Sequence, residues 1–201
     1  MRTCPPHEFM SRWPSALRPI TLPVPSPTLP DDCALSLTQF GLPRELKIYC
    51  YNNITVYFSD SLTPLATIWD RDLKLGYQLG DMPPQWNRFW HVADAEYLQG
   101  GGWICIEEMS GKLVVIDLDQ PDPIYLLNSS VANFYTTLAH FLDWSENSDG
   151  SPEKTAILCD ALLNQDCVPP DELEEFWMNF IYATLDSASI DLAVSLGPRD
   201  M

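Results

Sequence analysis

The chain has 201 residues, 46% of them apolar and 11% aromatic, which is enough to enclose the core of one domain with appendages. Its 28 acidic and 11 basic residues give a net charge of −17, a field that repels free nucleic acid and attracts basic partners. No apolar run reaches the roughly 18 residues that a spanning helix requires, so no membrane role is expected.

The acidic excess is uneven: residues 143–191 hold 12 acidic residues against a single basic one, Lys154. A run of like charge is also what an ordinary solvated face carries, so charge alone names no partner. Cys4, Cys33, Cys50, Cys105, Cys159 and Cys167 form no C-x-x-C pair. A chain with a sizeable core does not need disulfides, and the first thirty residues show no signal peptide. Reduced thiols and a cytoplasmic location are therefore expected.

Residues 1–30 carry eight prolines and no periodicity, and read as an extended or disordered leader able to dock in polyproline form. Asp31 or Asp32 opens a helix that runs to Phe40 and ends at Gly41, ahead of Pro43. Residues 46–51 and 54–58 form a hairpin across Asn52-Asn53. Residues 65–69 read as a further strand, 73–79 as a turn with a short strand, and 82–85 as a loop. Residues 89–93 form a strand, followed by a mobile glycine loop at Gly100-Gly101-Gly102.

The apolar runs 103–106 and 113–116 flank a turn containing Ser110-Gly111-Lys112, a second hairpin. After a short strand, Asn128-Ser129-Ser130 caps a helix whose Val131, Phe134, Leu138, Phe141 and Leu142 recur at helical spacing. The segment SENSDGSP breaks the chain at 145–152, and a helix over 152–164 places Ile157, Leu158, Ala161 and Leu162 on one face. Asp171 opens another helix, with a stripe from Leu173 through Phe176, Trp177, Phe180 and Ile181 to Leu185. The last fifteen residues read as frayed.

Strands precede helices, so the fold class is α+β. The expected architecture is a mixed, mostly antiparallel twisted sheet with helices packed against it. The organisation is a leader at 1–30, an α+β domain at 31–145, and a C-terminal helical extension at 152–188 packed on that domain.

Catalytic chemistry finds little support. Cys105, His91 and Asp117 are the available thiol, imidazole and acid, but Cys105 lies between Ile104 and Ile106, where its thiol faces the core. His7, His91 and His140 are far apart in sequence, and no metal site is expected. Asp117-x-Asp119-x-x-Asp122 lacks the glycine and glutamate of a calcium loop and reads as a carboxylate-lined strand end. The three glycines precede a strand instead of a helix, so they do not read as a phosphate loop but as a flexible turn or a strip of backbone open to a partner. No cofactor is expected. Trp86 lies beside two prolines and near Phe89 and Trp90, where it serves either the core or an interface.

The ordered set Ile104-Cys105-Ile106-Glu107, Ser110-Gly111-Lys112, Val114-Val115-Ile116-Asp117 and Asn128-Ser129-Ser130 resembles the signature of the SUKH superfamily, most closely its fourth immunity family. Phe134 and Leu138 follow it, and Phe40-Gly41-Leu42-Pro43 is similar to an early element of that family. The resemblance covers about residues 35–144; Glu107 stands where the family has Asp, and Ser110 where it has Thr. It implies an α+β sheet backed by helices. It also implies a non-enzymatic immunity protein that binds a cognate toxin domain, a nuclease or other toxin with a basic groove, and occludes its active site. The expected partner-binding residues are Trp86, Trp103, Glu107, Glu108, Asp117 and Asp119. A monomer is expected. The alternative is a regulatory or scaffolding interaction module, and a small enzyme ranks last.

Overall fold

The computed structural model describes residues 5–12, 17–49, 54–97, 100–119, 123–147, 151–163 and 193–196. Its elements are α1 (Pro6–Arg12), β1 (Leu17–Arg18), α2 (Asp31–Leu35), β2 (Leu42–Pro43), β3 (Glu45–Tyr49) and β4 (Ile54–Pro64). They continue with α3 (Leu65–Lys74), β5 (Phe89–Tyr97), β6 (Gly100–Glu107), β7 (Leu113–Ile116), β8 (Ile124–Asn128), α4 (Val131–Asn147), α5 (Pro152–Leu163) and β9 (Ala193–Leu196). A π-helical turn (Ser36–Phe40) extends α2, and a 3-10 turn (Pro84–Arg88) precedes β5. The architecture is α+β.

Seven strands form one sheet in the order β8-β7-β6-β5-β4-β3-β9. Every pairing within it is antiparallel, and the one parallel contact among the described residues is the isolated bridge between Thr21 and Ser61. The predicted hairpin pairs Trp103 with Ile116 and Ile106 with Leu113. Its turn places Met109 at φ 72° and Gly111 at φ 69°, and the Glu107 N–H donates to the Lys112 carbonyl at 2.9 Å.

Strand alternation divides the apolar residues between two faces. Ile104, Ile106, Leu113 and Val115 join Val56 and Ala93 on the first face, where Phe134, Leu138 and Phe141 of α4 and Leu158 and Leu162 of α5 complete the main core. Phe89, Cys105, Val114 and Ile116 face the other way, onto Leu65, Ile68 and Trp69 of α3 and onto Trp86. The Ser130 hydroxyl caps α4 by accepting the Asn133 N–H at 3.1 Å.

The sequence reading needs correction at five places. Residues 65–74 are helical, not a strand: Leu65, Ile68, Trp69 and Asp72 are the buried positions, and three- and four-residue steps make a helix face. Residues 73–79 contain the helix end and a turn, and form no strand. Gly100, Gly101 and Gly102 are not a loop but the first residues of β6, paired with Tyr97, Glu96 and Ala95; ladder hydrogen bonds need no side chain. Residues 193–196 pair with β3.

The fifth correction concerns the Pro-rich leader, which contributes to the core. Phe9 on α1, Leu17 on β1 and Ile20 are buried in the main cluster, and Arg12 pairs with Asp143 and Glu146 of α4. The β6–β7 turn holds the same segment: the Met109 N–H donates to the Thr28 carbonyl, and the Thr28 N–H to Glu108 Oε1, both at 2.7 Å.

The helix expected from Asp171 to Leu185 lies outside the described residues, as do positions 164–188 of the expected extension. Among the described residues, no helix is long and apolar enough to cross a membrane.

Candidate functional site

Two elements, α3 and the 3-10 turn, cover only part of the second sheet face. Among the described residues, nothing else covers that face, which leaves an open half-face, and the strand register states what it carries. Tyr57 of β4, Asp94 of β5, Trp103 of β6 and Ile116 of β7 stand side by side in one cross-strand row. Thr55, Glu96 and Gly101 form the next row. The end of α3 and the chain after it supply one wall, through Arg71, Asp72, Leu75, Tyr77 and Leu79, and Leu118 and Asp119 after β7 supply the other. The result is a cleft of about 820 Å³.

An aromatic chain supports the floor. Trp86 meets Trp69 edge-on with centroids 5.6 Å apart, and Trp69 meets Trp103 at 5.7 Å. Trp69 Nε1 donates to the Gly80 carbonyl at 3.1 Å, which ties the segment after α3 to the same wall. Trp103 is thereby braced by Trp69 of α3 while it lines the cleft.

The charges of the site are organised around Asp94. Its Oδ1 lies 3.1 Å from Nε2 of His91, a side chain 2% exposed, and 4.0 Å from the Arg71 guanidinium. An ionised carboxylate only accepts, so His91 Nε2 donates. Arg71 Nε also donates to Asp72 Oδ1 at 2.7 Å. The His91 hydrogen bond, followed by the neighbouring charges of His91 and Arg71, holds the Asp94 carboxyl below its ordinary value of 3.8 against the opposing effect of burial.

A depressed folded-state pKa adds stability above the unfolded value and loses it as pH falls through the folded value. Asp94→Asn should therefore flatten the loss of unfolding free energy below about pH 3.8, measured by urea titration at stepped pH. The effect is small, because the Asp94 side chain is 45% exposed and screened by solvent.

The structure sorts the residues expected to meet a partner. Trp103 and Asp119 line the cleft. Trp86 does not: it is 5% exposed and acts beneath the surface through Trp69, because the 3-10 turn folds it back onto Phe89 and Cys105. Glu107 ends β6, four residues from Trp103 or about 13 Å along a strand, and Glu108 follows it. Glu107 pairs with Arg88 at 3.0 Å, and Glu108 holds Thr28. Asp117 accepts the Asp119 N–H at 3.0 Å, which fixes the turn that presents Asp119. Tyr57, Tyr77, Asp94 and Glu96 were not singled out from sequence, and Gly101 entered only as part of a glycine loop. Period-two alternation from Trp103 would have reached Gly101, but the reading of 100–102 as a loop broke the pattern.

Cys105 and His91 are indeed cross-strand neighbours. The acid beside His91, however, is Asp94, and Cys105 is fully buried, so desolvation together with the Asp94 charge pushes its thiol pKa well up. A protonated thiol enclosed in the core is a packing group rather than a nucleophile. No protein family, curated protein or solved structure matches the chain.

Proposed function

We propose that the protein is a non-enzymatic immunity protein that binds a cognate toxin domain and neutralises it by covering its active site. The supporting observation is the open half-face: an aromatic and carboxylate-lined cleft, set in a chain of net charge −17. Such a surface is complementary to a basic groove, the feature a nuclease needs to hold its substrate. The α+β fold agrees with what the SUKH resemblance implies. The same reading has the protein acting as a cytoplasmic monomer, without cofactor, membrane or direct nucleic-acid contact.

The scaffolding alternative draws on residues 1–30 and on the acidic C-terminal helices as accessory binding segments, and of the latter positions 164–188 lie outside the described residues. Phe9, Leu17 and Ile20 are core residues, so residues 1–30 no longer favour it, and deleting them would test folding instead of binding.

The test is co-expression with the product of the adjacent reading frame. The expected result is arrest of growth by that product alone, restored growth when both are present, and a 1:1 complex on gel filtration. Failure of the two proteins to associate, with growth still arrested, would remove the immunity reading.

A further inference from the structure

Resting on the reading of the cleft as a partner-binding surface, we infer that the open half-face is a receptor for an arginine side chain presented by a basic protein. Charge balance comes first. Asp72, Asp94, Glu96 and Asp119 line the cleft against one guanidinium, that of Arg71. Arg71 is engaged by Asp72 and Asp94, and Asp94 is engaged by His91 as well. Glu96 and Asp119 have no cationic partner among the described residues. An anionic occupant would be repelled here, and an apolar one would strip water from carboxylates and give nothing back.

Shape selects the kind of cation. The residue beside Glu96 on β6 is Gly101, which is exposed and adds only backbone to the floor. A Cβ at Gly101 would stand 2.9 Å from the Ala95 carbonyl oxygen, closer than real side chains approach, so a larger residue does not fit without a backbone shift. The floor next to Glu96 is therefore flat and bare. Trp103 stands two residues along the same strand, its ring held by Trp69 at 5.7 Å. A flat floor between a fixed indole and a carboxylate without a cationic partner among the described residues suits a planar cation that stacks with one face and donates in a fork from its edge. A lysine ammonium would reach the carboxylate but gain little from the flat surface.

The test titrates acetyl-Gly-Arg-Gly-amide into the full chain and follows the Trp103 indole N–H resonance, assigned with a Trp103→Phe variant. Matching tripeptides with lysine or with citrulline, the neutral isostere of arginine, are run beside it. The arginine peptide should shift the resonance saturably, the lysine peptide should bind about fivefold more weakly, and citrulline should not saturate. Glu96→Gln should weaken the arginine peptide about fivefold or more. Glu96 is exposed, so this variant keeps its fold, which an unchanged melting temperature verifies.

Absence of a Trp103 shift, equal binding of citrulline, or unchanged affinity in Glu96→Gln would overturn the inference. A chain that protects cells yet ignores the peptide loses only the arginine receptor. One that binds the peptide yet protects nothing keeps the receptor and loses the immunity role.

Discussion

Phe9→Ala should lower the unfolding free energy by about 3–5 kcal/mol, the range for removing a buried aromatic ring. Phe9 is completely buried, and its ring lies 6.1 Å from that of Tyr135 on α4. Tyr135 is itself enclosed, and its hydroxyl donates to the Gly41 carbonyl at 2.7 Å. Removing the Phe9 ring leaves a void between α1 and α4 that a seven-residue helix cannot close by collapsing. A chain of this size loses about 2–4 °C of melting temperature per kcal/mol, so a fall of roughly 6–20 °C is expected in calorimetry. Val24→Ala is the control: Val24 belongs to the same Pro-rich segment but is 98% exposed, and its replacement should leave the melting temperature unchanged. Equal behaviour of the two variants would mean that residues 1–30 do not belong to the core.

Gly41→Ala should be comparably damaging, for a backbone reason. Gly41 has φ 81° and ψ −159°, a region that is essentially closed to residues with a side chain. An added Cβ would also fall 1.5 Å from the Arg18 carbonyl oxygen, so β1 would have to separate from β2. Backbone strain combined with lost strand pairing should cost about 3 kcal/mol. Gly76→Ala gives a useful comparison. Its φ is 96°, yet an added Cβ would meet nothing within 4 Å, so its cost is strain alone and should be smaller. Urea unfolding of the two variants measures the difference directly.

Much of the fold was legible where local chemistry and tertiary packing agree. The β6–β7 hairpin follows from two apolar runs about a glycine turn, and α4 from its Ser130 cap and apolar spacing. Gly41 marked a helix end because its φ is positive. Legibility failed where a segment takes its structure from a distant neighbour. Phe9 is buried by α4, more than a hundred residues away in sequence, and no local periodicity reports that. Ala193–Leu196 becomes a strand because β3 offers it an edge. The α3 helix was misread because its first turn is apolar and follows Pro64, a pattern that suits a strand until Asp72 is counted as a buried position.

The candidate site was half legible. Trp103 and Asp119, two of the residues expected from sequence, line the cleft. Tyr57, Asp94 and Glu96 became a site only through strand register, which sets Asp94 between Tyr57 and Trp103. Glu107 and Glu108 lie away from the cleft, where Arg88 pairs with the first and the Thr28 N–H donates to the second.

The claim that the open half-face is where a basic partner docks is tested most directly by charge reversal in the complex with the adjacent reading frame's product. Glu96→Lys combined with Asp119→Lys should raise the dissociation constant by about 100-fold or more, the scale of removing close charge pairs. Asp31→Lys, exposed at the start of α2, should change it by less than about twofold. An undiminished affinity in the double variant, or an equal loss from Asp31→Lys, would contradict the account.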